Sequence, residues 1–371
     1  MPKKSVKLRL VITFILLLIL SSILFSCKTF ETNANIDRIK IFENSLITSK
    51  NSNFNIYLNK MNRIIFEKSI NIGFMVNLLD SYYNEIDPFL KSNNITKDKI
   101  RDNDLRIVLF KNTDNTFNNY DPIIKYVFYD ILVANNNFKF DPGLGITFIT
   151  IVIDKPIFQV MKEYFSKYDF TGLYSAPNII FIHLKKDRFE DKTPKDKFLL
   201  ESVLLHEYTH YLFQNSIAKG ILQLLVDFLN NGDNSNFEKY EKMQPYITFL
   251  NEAFANLFSD YFEEYCFDIQ DFNNYRLDES KVKNILENKY KENKIDIEKK
   301  DASIIIDKYS KKIEVRQYFF DFLLYLINLN GFENFKNFIS SIYMNETNTI
   351  DELFTRYYQK GIVEIFENWR K

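Results

Sequence analysis

Apolar residues along this chain fall into three kinds of pattern, and each predicts a different kind of element. From Phe54 to Leu90 the positions Ile64, Ile65, Ile70, Phe74, Met75, Leu78, Leu79 and Ile86 recur at helical spacing. They predict two helices, broken near Gly73 or between Asp80 and Asn84. Leu105 to Phe110, Thr147 to Asp154 and Ile179 to Leu184 are short β-rich runs, and predict a small sheet of at least three strands. After Thr193-Pro194 the pattern returns to helical spacing. Thr193 suits an N-cap, Pro194 the first helical position and Asp196 the first turn. Further on, Ile221 to Leu229 reads as an apolar helix, Asn230 to Asn236 as a polar loop and Ile247 to Phe267 as a buried helix. Lys281 to Lys312 is dense in Lys and Glu, the mark of a solvated helix face and a surface connection.

The N-terminus has its own pattern. Lys3, Lys4, Lys7 and Arg9 precede an apolar run from Leu10 to Leu20 that continues through Ile23, Leu24 and Phe25. This is a secretory signal, not a fold element. Its end, Leu24-Phe25-Ser26-Cys27, resembles a lipobox, in which Cys27 is acylated and becomes the new N-terminus. An uncleaved anchor helix is the competing reading, because the run approaches spanning length. Both put the rest of the chain outside the cytoplasm and tie it to a membrane. The expected organisation is a signal at 1–26, a tether at 27–53 with one helix around Ile36 to Leu46, a helical segment with the sheet at 54–190, and a helical part at 191–371.

Charge and cysteine content narrow the function classes. The formal net charge is −1, and loss of the signal removes four basic and no acidic residues, so the mature chain has no basic surplus to favour nucleic acid. Cys266 then has no second cysteine to pair with, which excludes a disulfide framework. It reads as a small buried apolar residue. A hydrophobic content of 46% and an aromatic content of 16% easily support a core, so the abundance of Asn and Lys does not signal disorder.

The candidate chemistry is concentrated in Leu204-Leu205-His206-Glu207-Tyr208-Thr209-His210. On a helix, side chains four apart share a face, so His206 and His210 can bind one ion together. Glu207, about 100° round the helix, can reach a water on that ion without being a ligand. A catalytic zinc with two His needs a third protein ligand from an element that packs across this helix. Glu252 suits that role. It lies with Asn256 and Asp260 at four-residue intervals on an otherwise apolar helix, where a carboxylate needs a partner and a metal is one. His183, the remaining histidine, reads as a solvent-facing or packed strand residue.

His-Glu-x-x-His with the downstream Asn251-Glu252-Ala253-x-Ala255 resembles the gluzincin branch of zinc metallopeptidases, especially the peptidase MA-like families of bacterial secreted proteins. The resemblance implies an α+β, mainly helical zincin-like fold with a small mixed sheet. It implies His206, His210 and Glu252 as Zn2+ ligands and Glu207 as general base. Where many members carry an Asp bonded to a ligand His, this chain has Asn256, which still accepts an imidazole N–H. Thr171 to His183 is similar to the turn and edge strand that receive substrate ahead of the zinc helix, and Tyr318 to Trp369 to the C-terminal helical tail. Substrate would lie extended along Ile179 to Leu184 as an added strand. Tyr318 is the expected oxyanion donor, with Arg316 and Tyr309 as rivals. The expectation is a membrane-anchored extracytoplasmic zinc metalloendopeptidase acting on peptide or protein substrates. The opposing class is a surface-exposed binding or adhesion lipoprotein that keeps a zinc site without turnover.

Overall fold

The computed structural model of the chain describes residues 46–48, 52–58, 63–96, 105–111, 121, 123, 162, 171–175, 179–184, 194–231, 235–267, 269, 271–289, 301–310, 315–344 and 349–370. The signal and Cys27, most of the tether with its expected helix, the Thr147 to Asp154 strand and the Thr193 cap lie outside these residues.

Two apolar runs near the start form strands, not helices. Phe54–Leu58 (β2) and Arg63–Glu67 (β3) pair antiparallel, with Leu46–Thr48 (β1) added to the outside of β2. Ile64, Ile65 and Phe66 are all buried, so β3 shows no alternation, and the run Ile-Ile-Phe satisfies a helical template equally well. The helical part of this region is Ile72–Ser81 (α1), capped by Asn71, whose side chain accepts from the Phe74 amide. It continues through a π turn, Tyr82–Ile86, into Asp87–Ser92 (α2). The break expected between Asp80 and Asn84 is thus an extra residue in a helix that goes on, while Gly73 sits in the first turn without interrupting it.

Arg106–Phe110 (β4), Gly172–Ser175 (β5) and Ile179–His183 (β6) complete a mixed six-stranded sheet in the order β1-β2-β3-β4-β6-β5. β4 runs parallel to both β3 and β6, and β5 is antiparallel to β6. One expectation is corrected here. Ile179 to Leu184 is not the edge, because β6 is hydrogen-bonded on both sides and its residues Ile179 to Ile182 are fully buried, as a central strand's should be. Among the described residues the edge on this side is the short strand β5.

The helical half folds around two long helices. Pro194–Asn231 (α3) begins with Pro at its first position and carries both the His-Glu-x-x-His motif and the stretch expected to form a separate helix at 221–229. The expected loop shrinks from both sides: α3 takes in Asn230 and Asn231, and Ser235–Tyr265 (α4) takes in Ser235 and Asn236 and tolerates Pro245 within it. Every residue from Ala253 to Phe262 is buried, since α4 is covered by α3 and by the later helices. Those are Glu279–Asn288 (α5), Ala302–Ser310 (α6), Arg316–Asn330 (α7), Phe332–Tyr343 (α8), Ile350–Tyr358 (α9) and Ile362–Arg370 (α10). Gly331, at φ 82°, turns the chain between α7 and α8 in a conformation that side chains resist. The tail is anchored through aromatic contacts. Phe249 on α4 meets Phe319, Phe322, Phe366 and Trp369 with ring centroids 4.8 to 5.7 Å apart. α5 and α6 are not merely solvated. Val282, Ile285, Ala302 and Ile305 are buried, and they seat the Lys- and Glu-rich region against α4. No helix among the described residues is long and apolar enough to cross a membrane.

Candidate metal centre

α3 and α4 pack side by side, and among the described residues a polar patch lies in their contact. His206 and His210, one turn apart on α3, point their Nε2 atoms at each other across 3.1 Å. Glu252 on α4 brings Oε2 to 3.9 Å from His206 Nε2 and 3.7 Å from His210 Nε2. All three separations are below about 4.2 Å, twice a zinc–ligand distance, so one ion can touch all three atoms.

The protonation pattern argues for a cation between them. His210 Nδ1 donates to Asn251 Oδ1 at 2.9 Å, which leaves a lone pair on Nε2. The Ala255 carbonyl bonds the His206 ring, and Ser259 Oγ lies 3.5 Å from its Nδ1; with the proton on Nδ1, Nε2 would present a second lone pair. Two lone pairs at this distance repel unless an electrophile joins them. Burial, then His210 and Arg316, hold the His206 pKa well below the ordinary histidine value, keeping the ring neutral and ligand-ready. Glu252 Oε2 is buried with no hydrogen-bond partner among the described residues, an orphan aimed at the same point. Residual exposures of 15%, 8% and 21% for His206, His210 and Glu252 leave water a path to the cluster.

Glu207 lies beside the cluster and not in it. Its carboxylate accepts the backbone N–H of Tyr174 on β5 at 2.6 Å. Burial pushes its pKa up to about 7; Glu252 adds to the rise, while His210 and the Tyr174 amide oppose it. Burial likewise raises Glu252, against His210, Arg316 and a hydrogen bond from Tyr309.

The surroundings differ from expectation in two places. Asn256 does not bond an imidazole: its Nδ2 donates to the Glu252 carbonyl at 2.8 Å and lies 3.4 Å from the Tyr309 hydroxyl. Asn251 and Ala255 hold the imidazoles instead. Among the described residues the phenol that lies by the cluster is Tyr309, delivered by α6 and partly buried, with its ring against Phe319 at 5.1 Å. Tyr318 is half-buried against the core in the first turn of α7, where its amide bonds the Val315 carbonyl. Arg316, from the same turn, lies 3.9 Å from the buried Asp260, which also pairs with Lys289 at 3.3 Å. Asp260 is thereby matched by cations, and the polar stripe of α4 divides into a metal end and an ion-pair end. His183 stacks flat on Phe110 at 4.9 Å and contacts the Lys111 carbonyl, so it is a packed strand residue. Cys266 is buried, as expected of a small apolar residue.

Compared with known proteins, the chain matches no family model, no curated protein and no solved structure.

Proposed function

We propose that the protein is a zinc metalloendopeptidase of the gluzincin type, with a zincin-like fold, anchored through its N-terminal segment and acting outside the cytoplasm on extended peptide or protein substrates. The observation that carries this reading is the convergence of His206, His210 and Glu252, with Glu207 buried against the sheet edge beside them. The donor set of two imidazoles and one carboxylate suits zinc, and a zinc held there supplies Lewis acidity, acidifying a water and polarising a carbonyl.

The chain's own residues do the rest. Glu207 takes the proton of the attacking water and returns it to the departing amine, a task that a carboxyl raised toward neutrality performs well. Asn251 and Ala255 keep both imidazoles in the tautomer that ligates. The Tyr309 hydroxyl, partly buried beside Glu252 and 3.4 Å from Asn256 Nδ2, is the donor best situated to meet negative charge developing on the substrate oxygen. An extended substrate would add along β5, the edge of the sheet among the described residues, since β6 is paired on both sides.

A structural zinc site without turnover would not need a buried base at this position, which speaks against the binding-lipoprotein reading. The test is metal analysis of the purified protein together with hydrolysis of unfolded protein by wild type and Glu207→Gln. Zinc near one equivalent in both, with hydrolysis by wild type alone, is the expected result. Equal turnover, or none in either, removes the enzyme assignment.

A further inference from the structure

β5 carries a second role beyond offering an edge. Gly172 and Tyr174 lie two apart on one face of the strand, and that face meets α3 along Val203, Glu207 and Tyr211, which recur every four residues. A Cβ at Gly172 would stand 2.6 Å from Glu207 Oε1, 2.8 Å from Glu207 Cγ and 2.9 Å from Val203 Cγ1. The Tyr174 amide donates to Glu207 Oε2 at 2.6 Å. The Tyr174 ring meets Tyr211 at 6.3 Å, fixing the strand against the helix one turn further on. Register explains why this amide is available. Thr171 accepts the His183 amide, so residues 172 and 174 occupy non-hydrogen-bonded positions opposite Ile182 and Ile180, and their N–H groups point off the sheet edge.

Resting on the reading of Glu207 as general base, we propose that β5 is the positioning element for that base. Gly172 seats one carboxylate oxygen against bare backbone, the Tyr174 N–H fixes the other, and residue 172 has to be glycine for the hold to exist. Both oxygens are then set by main chain, the least mobile support available. Alanine at 172 cannot be relieved by swinging the carboxylate alone, because Cγ and Val203 are also within 3.0 Å, so the strand itself has to move. The Tyr174 amide, committed to Glu207, also interrupts the ladder that an added substrate strand could form along β5.

Residue-resolved amide hydrogen exchange on the full-length chain tests this, comparing wild type, Glu207→Gln, Glu207→Ala and Gly172→Ala. Tyr174 should be protected in wild type and in Glu207→Gln, whose amide oxygen still accepts. It should exchange at least about tenfold faster in Glu207→Ala and Gly172→Ala. The His183 amide, bonded to Thr171 at 2.8 Å, should exchange alike in all four. Equal Tyr174 exchange in wild type and Glu207→Ala overturns the proposal, and the two Glu207 variants decide the point even where Gly172→Ala unseats β5. With zinc bound, Gly172→Ala should lose about 10²-fold in kcat with KM within threefold of wild type. A change confined to KM would make β5 a substrate ledge only and overturn the positioning role. Failure of the parent reading shows separately, as absence of hydrolysis by wild type, and leaves the exchange result to decide the clamp.

Discussion

Asn251 and Asn256 make opposite demands on the metal site, and exchanging either for alanine separates them. Asn251, 8% exposed, accepts the His210 Nδ1 proton at 2.9 Å. Asn251→Ala leaves that N–H without an acceptor in a buried setting, at a cost of about 1–3 kcal/mol. Part of the cost falls equally on the metal-free and metal-bound protein and appears as lost stability. The remainder falls on zinc, because the ring is no longer held in the tautomer that leaves Nε2 bare. Comparable partners of ligand histidines are worth about 10–100-fold in metal affinity, or about 1.4–2.8 kcal/mol at 1.4 kcal/mol per decade. Asn256 touches the Glu252 main chain and not the rings, so Asn256→Ala should lower thermal stability while changing zinc affinity by less than about threefold. Competition with a chromogenic chelator at fixed pH measures both dissociation constants. In a His210→Ala background, Asn251→Ala should weaken zinc no further, since its only route to the metal has gone. The reasoning is refuted if Asn256→Ala weakens zinc more than Asn251→Ala does, or if the two histidine-dependent effects add in full.

Other outcomes follow from the same geometry. Zinc at a hundredfold excess over its dissociation constant should stabilise the fold by about 2.7 kcal/mol. Chelation should therefore lower the Tm of wild type and leave Glu252→Ala unchanged, and an equal chelator shift in both would disprove the assigned ligand. Tyr309→Phe should reduce kcat by about 10²-fold, as loss of an oxyanion donor does, and Tyr318→Phe by less than about threefold; steady-state kinetics with the order reversed would restore Tyr318. Phe249→Ala removes the ring on which Phe319, Phe322, Phe366 and Trp369 converge, and urea unfolding should show a loss of about 3–5 kcal/mol. A loss below about 1 kcal/mol would mean that the C-terminal helices are held elsewhere.

The candidate metal ligands were legible because their chemistry is written in local spacing: two histidines one turn apart, and a carboxylate stranded on an apolar helix that had to find a partner. What surrounds them was less so, since it depends on how elements approach. The four-residue rhythm of α4 pointed to Asn256, but the His210 ring reaches the helix at Asn251, on the other side of the ligand carboxylate. Tyr309 arrives from a helix inside a Lys- and Glu-rich region whose composition suggests only a solvated surface. β3 was misread because a strand buried on both faces has no alternation to show, and β5 because four residues beginning with glycine are too short to register. Ile179 to Ile182 did carry a usable sign, since four consecutive apolar residues mark an inner strand and not an edge.

The packing of α3 against α4 sets an order of events. Two donors travel on the first helix and the third on its neighbour, so a chain that has not yet brought these helices together holds a histidine pair and nothing to close the triangle. Tight metal capture is then a property of the finished protein alone, and the energy of capture is added to that of docking. On the proposed reading, hydrolytic competence would in this way be withheld from a polypeptide whose two long helices have not yet docked.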